Sequence, residues 1–162
     1  MVINKKLLLV FCLVLSWGTA PFIGKQSIKR YFPVAFLMAL IVRIESIVAK
    51  KRKWWVFYTS IHPKLVGETP LIWGPFFIGS IWILKWTYRK PILYFLLNAA
   101  VHFLFVFPFY TLFHRLGIFA LKRMSRLSLW GLFFIKAIIM YIAQKGVDLY
   151  RSQREHYNVS SG

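Results

Sequence analysis

Acidic side chains are nearly missing from this chain. Four stand against 22 lysines and arginines, a formal net charge of +18. The four are Glu45, Glu68, Asp148 and Glu155, and no single segment holds two of them as a catalytic or metal-binding pair. Carboxylate acid–base catalysis and carboxylate metal sites therefore lose their usual machinery. Cysteine is just as scarce. Cys12 stands alone inside an apolar run, which excludes an intrachain disulfide and a thiolate metal site. It reads as a small packing residue, because Val10-Phe11 are too large for a lipoprotein anchor. Gly/Ser-rich linkers and internal repeats are absent too, so the chain is expected to form one unit. There is no HExxH, no GxSxG, no P-loop and no Gly-rich dinucleotide turn.

What the chain has is long hydrophobic runs. Of its 162 residues 59% are hydrophobic and 19% aromatic, and the mean hydropathy is +0.59. A soluble domain of this length has too little interior to hide that much apolar surface. Five apolar stretches run approximately 7–23, 32–48, 70–86, 92–113 and 127–143. Most approach the length of about 20 residues that a helix needs to cross a bilayer. Backbone in hydrocarbon must satisfy its own hydrogen bonds, which leaves helices or a closed barrel. Barrel strands alternate in polarity, whereas Leu7–Leu15 and Ile92–Leu97 are apolar on every side. The expected fold is all-α: an integral membrane bundle of about five helices over residues 1–147, without a soluble domain. A short polar tail at 148–162 is expected to follow.

The first stretch imitates a secretory signal, with Lys5-Lys6, the apolar Leu7–Leu15 and small residues at Gly18-Thr19-Ala20. Cleavage after Ala20 would leave four spans. Pro21 blocks that cut and Phe22-Ile23 prolong the run, so a retained span is expected.

The cations sit at the ends of the apolar runs, and the aromatics are spread through the spans. This argues for snorkelling to anionic headgroups rather than for nucleic acid, which needs basic and aromatic residues interleaved in one patch. Lys50, Lys51, Arg52 and Lys53 form the densest block, and Lys122, Arg123 and Arg126 share its side in a five-span topology. These seven are the expected contacts to anionic lipid. By the positive-inside rule that side, with the N-terminus, is cytoplasmic in a plasma membrane. Trp54, Trp55 and Tyr58, Trp86 and Tyr88, and Trp130 read as interfacial anchors.

Ionisable groups inside spans are costly and face the bundle interior. Glu45, Asn98, His102 and Lys136 are the intramembrane polar candidates. Tyr94, Asn98 and His102 repeat at four-residue spacing and share a helix face. At 1.5 Å rise per residue, His102 and Lys136 lie at a common depth of roughly 15 Å, with Glu45 at about 7–8 Å and within a lysine stem's reach. Such residues serve as interhelical glue or as a proton or ion path. Arg43 is expected to snorkel toward Lys50–Lys53. Pro70 and Pro75 bracket Trp73-Gly74 at the start of the third stretch, and Pro33, Pro91 and Pro108 lie at or within others. Together they predict helix entry points and one kink, in the third stretch.

The first span closing on Phe22-Ile23-Gly24-Lys25 with Ile28-Lys29-Arg30, the Pro75 middle span and the Trp130-rooted aromatic span give a characteristic layout. It resembles a group of small, uncharacterised multi-spanning membrane proteins of endospore-forming Gram-positive bacteria, although this chain departs from the acid-containing spans of that group. The resemblance implies a bacterial plasma membrane and no particular activity. The leading expectation is a non-enzymatic bundle without cofactor or metal, acting through anionic lipids, a membrane protein partner or its own copies. Its rival is a small transporter or ion-conducting subunit. Interfacial lipid-modifying chemistry would have to draw on His62 with Glu68 or His114 with Arg115, since His62, His114 and His156 lack ligand spacing.

Overall fold

The computed structural model describes residues 4–62 and 67–160, with the side chains of 155, 156 and 158–160 outside that description; Lys64 and His156 fall among the omitted groups. It is 82% helical. Four helices are long and apolar enough to cross a membrane: Lys5–Ile23, Lys25–Arg52, Pro91–Arg115 and Arg126–Arg154.

Helix α1 (Lys5–Ile23) starts where the Asn4 carboxamide accepts from the Lys6 and Leu7 amides. That satisfies two of the free donors at a helix start. Gly24, at φ +84, separates it from α2 (Lys25–Arg52), a left-handed turn that suits glycine. α2 ends on Lys53 and leads into strand β1 (Trp55–Phe57).

The third apolar stretch contains no uninterrupted long α-helix. It is a three-part helix: α3 (Thr69–Leu71), a π turn (Ile72–Phe76) and α4 (Phe77–Thr87). Pro75 inside the π turn lacks the amide that a regular ladder needs, so the helix widens there. The fourth stretch repeats the device. α5 (Pro91–Leu104) passes through a π turn at Phe105–Phe109, containing Pro108, into α6 (Tyr110–Arg115).

Strand β2 (Phe119–Leu121) pairs antiparallel with β1, placing Trp55 opposite Leu121 and Phe57 opposite Phe119. This small ribbon, absent from the helix-only expectation, ties the two loops between helices into one cap. α7 (Arg126–Ser160) then runs unbroken. The expected polar tail is thus the last part of a helix. Arg151 holds it against α2 by donating to the Lys29 and Arg30 carbonyls.

Two buried clusters fill the interior. One gathers Tyr31, Val34, Met38, Ile78, Ile81, Leu84, Tyr94 and Met140, and the other Leu9, Trp55, Val106, Phe113, Ile118 and Leu129. Ala35 and Ala39, both fully buried on α2, let that helix approach α4 closely. α1 is stitched to the third segment by Trp17 Nε1 to the Trp73 carbonyl at 2.9 Å and Trp82 Nε1 to Thr19 Oγ1 at 3.1 Å.

Candidate functional site

Between the two clusters lies a cavity of about 180 Å³. α2, the kinked third segment, α5 and α7 wall it, and the β1–β2 cap closes one end with Trp55, Phe57 and Phe119. Most of the lining is aliphatic or aromatic. Set into it are Glu45, Glu68, Ser80, Asn98, His102 and Lys136. All four polar residues singled out from the sequence therefore reach one chamber, from three helices.

Lys136, 5% exposed, donates from Nζ to Glu45 Oε2 at 2.6 Å and lies 4.3 Å from the Phe133 ring centre. The charged pair thus crosses from α7 to α2 between the two clusters. Glu45 Oε1 is buried without a hydrogen-bond partner among the described residues. His102 packs its ring against Phe133 at 5.4 Å, and its Nδ1 is likewise buried and unpartnered. Asn98, 1% exposed, donates Nδ2 to the Tyr94 carbonyl one turn back, while the Tyr94 hydroxyl donates to the Ala137 carbonyl at 2.8 Å. The Tyr94 hydroxyl bond and that from Trp130 Nε1 to the Ala99 carbonyl at 3.2 Å join α5 to α7. The shared face of Tyr94, Asn98 and His102 hence does two jobs: its first part is a joint and its last lines a space.

Glu68 was not among the residues expected in this site. It sits just ahead of α3, 8% exposed, and its Oε1 accepts from Trp55 Nε1 at 2.7 Å. Burial pushes its carboxyl above the ordinary 4.5, against the lowering pull of the Trp55 bond and the Arg43 charge. The sequence offered one signal, an acid two residues before an apolar run that starts with proline. Trp55 is correspondingly no interfacial anchor; at 8% exposed it roofs the cavity. Trp130 is half-buried in the α5–α7 joint, whereas Trp86 is exposed, as an anchor would be. Arg43 does not simply snorkel outward either, because its buried Nη1 has no partner among the described residues.

Outside the cavity, charge is sorted by end. The ribbon draws Lys50, Lys51, Arg52 and Lys53 together with Lys122 and Arg123: the Lys122 amide donates to the Trp54 carbonyl and the Arg123 amide to that of Lys53. All six are exposed, as is Arg126, whose guanidinium lies 4.6 Å from the Tyr110 ring. Lys5 reaches the same end, 3.5 Å from the Gly117 carbonyl. At the far end Arg30 and Asp148 form an ion pair at 2.8 Å, and Gln144 donates to the same carboxylate.

Among the described residues no group of three His, Cys, Asp or Glu side chains converges as a metal site. His114 is exposed and packs tilted beside Tyr110, with ring centres 5.6 Å apart, and His62 is exposed. No protein-family model, curated protein or solved structure matches this chain.

Proposed function

We propose that the chain is a non-enzymatic, multi-pass membrane protein with five spans, counting the kinked third segment. Its ribbon-capped end rests on the anionic headgroups of the cytoplasmic leaflet of a plasma membrane. One observation carries the reading: an apolar girdle bounded by a basic, acid-free rim. Leu7, Phe11, Val14, Leu15, Trp17 and Phe22 on α1 are each about half exposed or more. Ile44, Leu96, Leu104, Ile135 and Ile142 continue the girdle on α2, α5 and α7. A soluble monomer rarely exposes so large a contiguous apolar surface.

The rim at the ribbon end carries the Lys50–Lys53 block and Lys122, Arg123 and Arg126. Glu68, the acid nearest that end, is buried, so no described carboxylate dilutes the rim. Each cation near an anionic surface contributes about 1 kcal/mol of attraction. With an odd number of spans the C-terminal helix emerges on the opposite side. The bacterial setting follows only from the layout, and the partner would be lipid together with a membrane protein or a second copy of this chain.

Labelling decides the orientation. In a Cys12→Ser background, single cysteines at Lys51 and at Arg154 should react with an impermeant maleimide from opposite sides of the membrane. Labelling of both from one side refutes five spans. Reconstituted protein should also enrich anionic lipid around itself at low salt, and lose that enrichment when Lys50–Lys53 become glutamine.

A transporter reading competes because the four buried polar side chains share a cavity. It predicts a proton or ion flux in liposomes that is lost in Lys136→Met or His102→Phe while the fold persists. A flux unchanged by both variants removes the cavity from any transport path.

A further inference from the structure

We infer that the cavity is a binding site for an uncharged, hydroxyl-bearing hydrophobic molecule of about one ring, entering sideways between the third and fourth helices. The inference rests on the membrane setting proposed above. It adds the chemistry of the occupant, which that setting leaves open.

Four features fix that chemistry. The volume comes first: about 180 Å³ is slightly more than an apolar protein cavity of about 150 Å³ that takes up benzene. The lining is second. Outside its polar residues it consists of side chains such as Met38, Phe76, Phe105 and Met140, which suit a hydrocarbon body.

Third comes the charge inside. Glu45 is already neutralised by Lys136 at 2.6 Å. Glu68 is bonded to Trp55 and held in the field of Arg43. Lys136, the one cation on the described lining, is thus taken, so an anion would enter unpaired. Burial holds the Glu68 carboxyl toward its neutral form, so a cation would gain little there. The ligand must be neutral.

Fourth are the orphaned atoms. Glu45 Oε1 can only accept, and His102 Nδ1 accepts or donates according to its tautomer. Both belong to residues that line the cavity. A hydroxyl both donates and accepts, and it satisfies either atom.

The route follows from exposure. Of the lining residues only Pro75 and Val101 are exposed, one on the third helix and one on α5. Pro75 lies in the first π turn, and Phe105 beside the opening begins the second. Gly79 helps as well: a Cβ there would meet nothing within 4 Å.

The test is calorimetric titration of the full chain, purified in detergent micelles, with 4-propylphenol and with 4-propylanisole, its methyl ether lacking the donor. One phenol should bind per chain, and the ether about tenfold to a hundredfold more weakly, the range expected when buried acceptors are left unpaired. His102→Phe, or the double change Lys136→Met with Glu45→Leu, should bring the two affinities together by removing the acceptor that the hydroxyl meets. A preference that survives in both overturns the anchoring. Gly79→Leu, and independently Val42→Phe, should remove both by filling the space. Equal binding of phenol and ether overturns the hydroxyl preference. Phenol heats that survive both filling variants overturn the location, since they then report micelle partition. Saturation with neither probe shows a cavity for water alone and overturns the inference. Lipid enrichment and cysteine labelling are read separately, so failure of the membrane orientation is distinguishable from failure of the site.

Discussion

Replacing Lys136 by methionine should cost about 3–5 kcal/mol, the range for breaking a buried ion pair by deleting one partner. The geometry supports that range over the much smaller value of a surface pair. The Lys136 and Glu45 side chains are 6% and 13% exposed, and their oxygen–nitrogen distance is 2.6 Å. Glu45 Oε1 already lacks a partner among the described residues, so the substitution leaves both carboxylate oxygens unpaired there. Methionine conserves the stem that packs beside Phe133, so lost packing adds little. Glu45→Gln alone should cost less, because a neutral amide can still accept from the ammonium. The double change Lys136→Met with Glu45→Leu should recover most of the loss, since apolar replacement of a whole buried pair is often neutral or stabilising. Thermal unfolding in detergent is the assay. At roughly 2–4 °C per kcal/mol for a chain of this size, the single variant should melt about 6–20 °C lower. A drop corresponding to less than about 1 kcal/mol, or a double variant no better than Lys136→Met, refutes the argument. It would mean that water hydrates the pair through the cavity.

The Arg30–Asp148 pair provides the contrast: its side chains are 39% and 25% exposed. Arg30→Ala should therefore cost only about 1 kcal/mol, and less at high salt, in the same melting assay. Glu68 makes stability depend on pH with a definite sign. Its folded pKa is raised above the ordinary 4.5 by burial, so the folded state binds the extra proton and stability falls as pH rises from about 4.5 through the raised value. Glu68→Gln should flatten that part of the stability profile, and an unchanged slope assigns it to another group. Gly74→Val should destabilise by about 1–3 kcal/mol through overpacking, because a Cβ there meets Leu13 Cα at 3.0 Å; native-like melting of this variant would show that α1 does not pack closely at Gly74.

Hydrophobic length was legible because it depends only on composition: each of the five apolar stretches lies within a helical segment of the fold. The α5 stripe was legible because Tyr94, Asn98 and His102 keep a strict four-residue step on one face. Depth arithmetic also put Lys136 within reach of Glu45. The ribbon was not legible. Trp55-Val56-Phe57 and Phe119-Ala120-Leu121 are three-residue strands separated by 61 positions, too short for a period-two signal and paired only by tertiary contact. The π turns were half legible, since a proline announces a lost hydrogen bond without saying whether the helix bends, breaks or widens. Trp55 misled because an aromatic following four cations is ordinarily an anchor. Only the fold shows that it turns inward to Glu68.

The scarcity of acids takes on a structural meaning once their positions are known. Glu45 is committed to Lys136, Glu68 to Trp55, and Asp148 to Arg30 and Gln144. Each of these carboxylates therefore has an internal assignment, and none is left to balance the exposed cations of the ribbon end. That division follows if the two signs have different tasks. Acids would hold helices together where a charge must be paired, while cations face a surface that is itself negative. A carboxylate added to the rim, for instance by Lys51→Glu, should then leave the melting temperature within about 0.5 kcal/mol of the parent, as for most surface changes. It should nevertheless weaken anionic-lipid enrichment more than Lys51→Gln, because it removes one attractive charge and adds a repulsive one. Equal enrichment for the two variants would show that the rim acts by hydrogen bonding rather than by charge.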